Sequence, residues 1–179
     1  TVAPGEYDIK VIYGEAVGST KVTLVPDRRN VATPAQYAEL ETKEALLTDL
    51  VNEIFNALEA ARDERDDLKR VLADYPGDAP LQETGKSAID RLSAWEKKVY
   101  QTEYQTYEDV GHVPGRMIKK VMHILSSIDY DGPPLTSATL QRVDELQADW
   151  APLHAEFEDI RASDIAAVNT RLREMDAFF

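Results

Sequence analysis

Residues 33–76, TPAQYAELETKEALLTDLVNEIFNALEAARDERDDLKRVLADYP, decide the fold of this chain. No glycine or proline stands between Pro34 and Pro76, and apolar side chains recur at spacings of three, four or seven, as on an amphipathic helix. Thr33, Pro34 and Gln36 have the pattern of a helix start, with a threonine cap, a proline at the first helical position and a glutamine that completes a capping box. The stretch predicts one helix of about 60 Å, which needs partners of similar length. Its apolar stripe comprises Leu40, Leu47, Leu50, Ile54, Ala57, Ala61, Leu68 and Val71.

Two more helical patterns follow this long helix. After a turn at residues 75–80, an apolar stripe runs from Leu81 to Val99 at helical spacing. Residues 101–114 are polar and rich in tyrosine, which predicts a long loop or a frayed helix end. A shorter helix is expected to begin near Pro114 and to be broken by the segment Asp131-Gly132-Pro133-Pro134.

The last helical pattern is capped by Thr136 or Ser137 and continues to the end of the chain. Pro152 lies inside it and predicts a kink, because proline removes a backbone hydrogen bond and crowds the preceding turn. We therefore predict a mainly α protein, in which residues 31–179 form an up-down antiparallel bundle of about four helices.

Residues 1–30 have a different period. Tyr7, Ile9 and Val11 alternate with mostly polar neighbours, and a second alternating segment ends at Pro26. We predict a short β-hairpin whose turn lies within residues 14–19. Two isolated strands are marginal in water, so the hairpin either packs against the helices or is the remnant of a β-sandwich; we favour the remnant.

Composition excludes several function classes. The chain has 179 residues, no cysteine and a formal net charge of −13. The absence of cysteine excludes disulfides, thiolate metal sites and cysteine catalysis. A surface this acidic repels phosphate backbones and anionic lipid, and no apolar run is long enough to span a bilayer. We expect no nucleic-acid partner, no membrane span and no cofactor.

Three motifs that resemble functional sites have simpler interpretations. A P-loop would need a second glycine five positions before Gly85, where Pro80 stands, so we interpret Gly85 as a glycine tolerated in a helix. A calcium loop that began at Asp129 would need a glutamate at its twelfth position, where Leu140 stands. None of the three histidines shares the i, i+4 spacing of a helical zinc site. The three histidines are His112, His123 and His154.

One cluster remains as a candidate binding loop. Tyr100, Tyr104 and Tyr107 lie close in sequence to Glu108, and together they are suited to hold a sugar or a peptide. The simpler interpretation is that the tyrosines anchor a long loop to the bundle. We identify no catalytic, cofactor-binding or metal-binding residue, and we expect this chain not to be an enzyme.

Five short segments resemble a known type of protein. They are residues 4–7, 25–29, 105–109, 131–136 and 164–169, and they span nearly the whole chain. This set resembles the C-terminal hairpin and helical region of large secreted β-propeller proteins with BNR/Asp-box repeats, which are sortilin-like and often labelled glycosyl hydrolases. Arg28 departs from the pattern, in which a proline would follow the aspartate.

The resemblance implies an accessory role. In such proteins the propeller would carry any carbohydrate chemistry, and this region would follow it. No Asp-box is present here: the nearest candidate begins at Ser127, but Asp131 replaces its glycine. The implied partners are the chain's own upstream propeller and, second, another copy of the chain. The implied location is secreted or in the cell envelope, such as the periplasm.

Three functions therefore remain open from the sequence. The first is a non-catalytic, structural accessory region of a glycosyl-hydrolase-like propeller protein. The second is a helical-bundle interaction module that binds a protein or glycan. The third is a small hydrolase built on clustered carboxylates, which the sequence favours least.

Overall fold

The computed structural model describes residues 2–28, 31–103 and 113–175. It confirms a mainly α fold in which a two-stranded antiparallel hairpin precedes the helices. The elements are β1 (Gly5–Tyr13), β2 (Ala16–Leu24), α1 (Pro34–Asp74), α2 (Ala79–Val99), α3 (Met117–Asp131), α4 (Ser137–Ile160), a π-helical segment (Arg161–Ile165) and α5 (Ala166–Glu174).

The start of α1 forms as the sequence predicts. The Gln36 backbone N–H donates to the Thr33 hydroxyl at 3.3 Å, and the Thr33 N–H donates to Gln36 Oε1 at 2.8 Å. Two donors that would otherwise lack partners at the helix end are thus satisfied. The helix ends at Asp74 after 41 residues, with Tyr75 as its C-cap directly before Pro76. Its length of about 60 Å sets the length of the bundle.

The helices form three layers: α1, then α2 with α3, and α4 with α5. Helices α2 and α3 both run antiparallel to α1, one after the other: α2 lies along its C-terminal half and α3 along its N-terminal half. Helix α4 runs parallel to α1, because Lys43 contacts Asp144, Glu53 contacts Trp150, and Glu64 contacts Arg161 in the same order along both helices. The distances are 3.3 Å for Lys43–Asp144, 2.9 Å for Glu53–Trp150 and 2.8 Å for Glu64–Arg161.

Trp95 is the largest fully buried side chain of the core. Its ring stacks on Phe157, with 4.8 Å between the ring centroids, and its indole N–H donates to the Leu153 carbonyl at 2.7 Å. Both contacts join α2 to α4: the Trp95 ring is buried against α4, and its indole N–H has a hydrogen-bond acceptor on the same helix.

Glu96 is a buried carboxylate that joins α2 to α1. It accepts from Arg62 Nε at 2.7 Å and from Arg65 Nη1 at 2.5 Å. Burial would by itself raise the pKa of Glu96, but the hydrogen bonds from Arg65 and Arg62, with their charges, outweigh burial and hold this pKa below its ordinary value. Glu96 is therefore ionised and paired in the folded chain.

The π-helical segment interrupts the last helical layer. Helix α4 continues through Pro152 as far as Ile160, and the change of hydrogen bonding comes later, at Arg161–Ile165. Arg91 of α2 reaches both sides of this change, with Nη2 at 2.8 Å from Asp159 and Nη1 bonded to Asp164. One guanidinium thus bridges two carboxylates five positions apart, because its planar fork offers several donors.

The hairpin differs from the sequence-based expectation in its turn. Residues 14–19 were expected to form the turn, but only Gly14 and Glu15 lie between the paired strands, and Ala16 already pairs with Tyr13. Gly14 has a φ of 59°, which the first central residue of a primed hairpin turn requires and glycine adopts without strain. A two-residue turn of this kind matches the strand twist, so pairing extends to the turn itself.

Candidate functional site: the apolar face of the hairpin

The two strands pair over their full length and give the hairpin two chemically distinct faces. Residues directly opposite each other in an antiparallel ladder point to the same side. The register pairs Tyr7 with Val22, Val11 with Gly18, and so on to the turn. We call one side the apolar face. It comprises Gly5, Tyr7, Ile9, Val11 and Tyr13 on β1, and Ala16, Gly18, Thr20, Val22 and Leu24 on β2.

No helix packs against the apolar face within the part of the chain that the structure describes. Ile9 is 43% exposed, Val11 63% and Tyr13 86%. Only the end near the bundle is partly covered, where the Tyr7 hydroxyl donates to the Ala3 carbonyl at 2.7 Å. A surface of adjacent apolar side chains with a polar surround marks an interaction site more often than chance exposure does.

The opposite face of the hairpin is built for water. It presents Glu6, Asp8 and Lys10 on β1 and Lys21 on β2, with apolar side chains only at the Ile12–Val17 pair beside the turn. This division into one apolar and one charged face is what a sheet shows when one side packs on a core and the other is solvated. In the described residues the apolar face is present, but no layer of the protein covers it.

Among the described residues both outer edges of the hairpin are also unpaired, since the sheet there has two strands. Neither strand contains a proline between Gly5 and Leu24. Exposed edges of this length offer a row of backbone donors and acceptors to another strand. The hairpin can therefore associate either by its apolar face or by an edge.

The predicted binding loop is described only at its first residue. Tyr100 caps the end of α2, is 40% exposed and lies under the Arg62 guanidinium, which is 5.1 Å from the ring centroid. Tyr104, Tyr107 and Glu108 lie outside the described residues, and so does His112. The candidate cluster as a whole thus stays a prediction.

Tyr100 borders a cavity of about 360 Å³ between α1 and α3. Phe55 and Met122 line it and are 42% and 49% exposed. Lys119 and His123 stand on its α3 side. The lining is mostly apolar with a few polar groups, which is the usual composition of a small-molecule site.

The structure places two of the other motifs within helices. Gly85 lies inside α2, buried against Leu72. Asp129 and Asp131 belong to the last turn of α3, and Gly132 ends that helix with a φ of 66°. Over residues 2–28, 31–103 and 113–175, no group of three or more histidine, aspartate or glutamate side chains is arranged to hold a metal ion.

Sequence reasoning identified the hairpin but missed half of its apolar face. Ala16 and Gly18 were assigned to the turn, so the β2 column of the face went unrecognised. The signal that could have found it is the two-residue alternation of Ala16, Gly18, Thr20 and Val22 with residues of the other face. This signal is weak because Ala16 and Gly18 are small.

Comparison with known proteins returns no relative. The chain matches no protein-family model, no curated protein and no solved structure. Among the described residues, no helix is both long enough and apolar enough to cross a membrane.

Proposed function

We propose that this chain is a non-catalytic, structural accessory region of a larger, secreted or cell-envelope protein of the glycosyl-hydrolase-like β-propeller type. The observation that carries the proposal is the uncovered apolar face of the hairpin, which provides an attachment surface. The resemblance of five short segments to the C-terminal region of such proteins gives the class of parent protein.

The helical bundle supports an attachment role in its own way. Its core is closed between its own layers, with Trp95, Leu47, Ile54 and Ile160 each at most marginally exposed. The bundle therefore needs no partner to bury its apolar stripes, whereas the hairpin does. A bundle with its own core, joined to a hairpin whose apolar face is uncovered, is suited to attach to a neighbouring domain.

The encoding gene gives the first test. We expect coding sequence for a β-propeller with Asp-box repeats before the codon for Thr1. A gene without such a propeller would contradict the proposed parent protein.

The second test uses that parent protein with two matched variants. Val11 and Ile12 are neighbours of nearly equal exposure, 63% and 64%, on opposite faces of the hairpin. We expect Val11→Asp to increase protease cleavage within the hairpin of the parent protein, since a charge cannot be buried unpaired. Ile12→Asp should leave the cleavage rate unchanged. Equal cleavage of both variants would show that the apolar face is not the attachment surface.

The cavity beside Tyr100 favours a second candidate function, an interaction module that binds a glycan. Its aromatic lining can stack on a sugar ring, and Lys119 and Gln101 add polar groups. We expect Phe55→Ala to abolish any binding detected on a glycan array. Tyr130→Ala, at an aromatic that is 91% exposed and outside the cavity, is the control. Binding that survives Phe55→Ala would exclude the cavity.

A further inference from the structure

We infer that the apolar face of the hairpin is covered by the same face of a second copy of the chain. The two hairpins would form a four-stranded, two-layer β-sandwich that joins two bundles. The inference rests on the proposed function only in that both use this face as an attachment surface. Three properties of the face favour a second copy over another occupant.

The first property is a self-complementary shape. In the half of the face near the turn, β1 carries the large residues Ile9, Val11 and Tyr13, whereas the residues opposite them on β2 are the smaller Thr20, Gly18 and Ala16. A two-fold axis between the sheets and along the strands places β1 of each copy over β2 of the other. Because opposed residues stay at the same level, Val11 then lies over the partner's Gly18. The large side chains of each copy thus pack over the small residues of the other, and the contact occurs twice, as in an isologous interface.

The second property is the distribution of charge. The hairpin strands and turn carry three acidic residues against two basic ones, a net charge of −1, so −12 of the chain's −13 lies elsewhere. The apolar face has no charged side chain at all. Copies of the chain repel each other through the rest of their surface, and the apolar face adds nothing to that repulsion. The five charged residues are Glu6, Asp8, Lys10, Glu15 and Lys21.

The third property is the area available. The exposed fractions of Ile9, Val11, Tyr13 and Leu24 correspond to roughly 500 Å² in each copy, so two faces bury about 1,000 Å², the size of weak or transient protein interfaces. Two strands are marginal alone, but four strands in two layers with a shared apolar interior are not. We therefore expect a weak dimer that forms reversibly.

The mass of the chain in solution tests the inference. Sedimentation equilibrium from low micromolar to submillimolar concentration should show a monomer–dimer equilibrium. Added salt should strengthen it, because salt screens the repulsion between the acidic bundles. Val11→Asp should weaken dimerisation at least ~10-fold, since it places an unpaired charge in the interface. Ile12→Asp, on the charged face, should dimerise like the unmodified chain.

Cysteine cross-linking tests the register without relying on a charged variant. The chain has no cysteine, and a side chain at position 18 meets no atom within 4 Å and no strained φ. A mixture of the single variants Val11→Cys and Gly18→Cys should be cross-linked between chains by a short bismaleimide, because packed sheets lie about 10 Å apart, beyond the reach of a disulfide. A mixture of Ile12→Cys and Gly18→Cys should not, because these positions lie on opposite faces.

The outcomes separate this inference from the proposed function. A chain that stays monomeric at every concentration, or cross-links equally in both mixtures, overturns the second copy as the occupant. If Val11→Asp still exposes the hairpin of the parent protein to protease, the attachment role stands and the propeller is the occupant. A dimer whose gene encodes no propeller supports the second copy and contradicts the proposed parent.

Discussion

Gly85 shows how one residue position joins two helices. A Cβ built at Gly85 would lie 2.6 Å from Leu72 Cδ2, closer than such atoms approach. Leu72 is itself a buried member of the core, so its side chain has little room to move. The glycine is thus required by the close approach of α1 and α2 and not by a special backbone angle.

This contact reverses the usual effect of replacing a helical glycine. Alanine in a helix interior normally gains about 1 kcal/mol over glycine, but the contact with Leu72 adds an overpacking cost of about 1–3 kcal/mol. We expect Gly85→Ala to lower the free energy of unfolding by about 1 kcal/mol in urea denaturation. In a Leu72→Ala background the same change should raise it. The same sign in both backgrounds would show that Leu72 is not the obstacle.

Glu96 gives the chain a pH-dependent stability. Its folded-state pKa lies below the ordinary value because Arg65 and Arg62 outweigh the effect of burial. The unfolded chain therefore binds a proton more readily than the folded one at this site. The stabilisation is fully present above the unfolded pKa of about 4.3 and is lost as the pH falls through the lower, folded pKa.

We expect Glu96→Gln to lower the free energy of unfolding at neutral pH by about 1–3 kcal/mol, the range for hydrogen bonds to charged groups. The difference between this variant and the unmodified chain should shrink as the pH is lowered below about 4. Glu59→Gln, at an exposed glutamate of α1, is the control. A difference that stays constant with pH would mean that the charge of Glu96 contributes nothing.

At the scale of elements, the π-helical segment depends on a contact from α2. Arg91 bonds to Asp159, which precedes the segment Arg161–Ile165, and to Asp164 within it, and Ser163 donates to the Asp159 carbonyl at 2.7 Å. A π-helical turn is rarely stable by itself. The guanidinium fixes the position at which α4 gives way to α5.

We expect Arg91→Lys to increase the hydrogen exchange of backbone amides in α5, because a single ammonium cannot bridge two carboxylates as a planar fork does. The loss in global stability should stay below about 1 kcal/mol, since the pair is partly exposed. Arg70→Lys changes an exposed pair within α1 and should leave α5 unaffected. Unchanged hydrogen exchange in α5 would show that the π-helical segment does not depend on the contact with Arg91.

The sequence predicted the elements better than their arrangement. The caps at Thr33 and Thr136 are local signals and stand where they were expected, whereas the break expected at residues 131–134 begins one residue later, because Asp131 still belongs to α3. The shorter helix was expected near Pro114 and begins at Met117. The end-to-end placement of α2 and α3 along α1 depends on contacts between residues far apart in sequence, which a periodic pattern does not encode.

The candidate site was predictable only in part, for a related reason. Alternation over residues 7–11 indicated a strand, because large apolar side chains give a strong two-residue period. Gly14 and Gly18 gave conflicting turn signals, and only the register of the ladder shows that the first forms the turn and the second lies in the apolar face. Whether that face is covered depends on tertiary packing, which one sequence does not show.

At the scale of the whole molecule, the hairpin and the bundle should be nearly independent in stability. Neither strand packs along a described helix, and the base of the hairpin meets the bundle at Tyr37 of α1 and at residues 129–133, where α3 ends. Removal of the hairpin thus exposes little of the bundle core.

We expect deletion of residues 2–28 to lower the Tm of the helical unfolding transition by no more than about 4 °C, equivalent to about 1 kcal/mol for a chain of this size. Circular dichroism at a helical wavelength would measure it. The capping box at Thr33 lies outside the deletion and should remain intact. Unfolding of the bundle on deletion would show that the two parts form one cooperative unit.

The length of α1 has a consequence for how the chain behaves in a flow or a field. A compact chain of 179 residues has a radius of gyration of about 16 Å, whereas a helix of 41 residues alone extends about 60 Å. The monomer should encounter more friction than a sphere of equal mass, and it should tumble faster about its long axis than across it. Gel-filtration retention would then overstate its mass, and amide groups along the rod would share one slow relaxation rate in NMR.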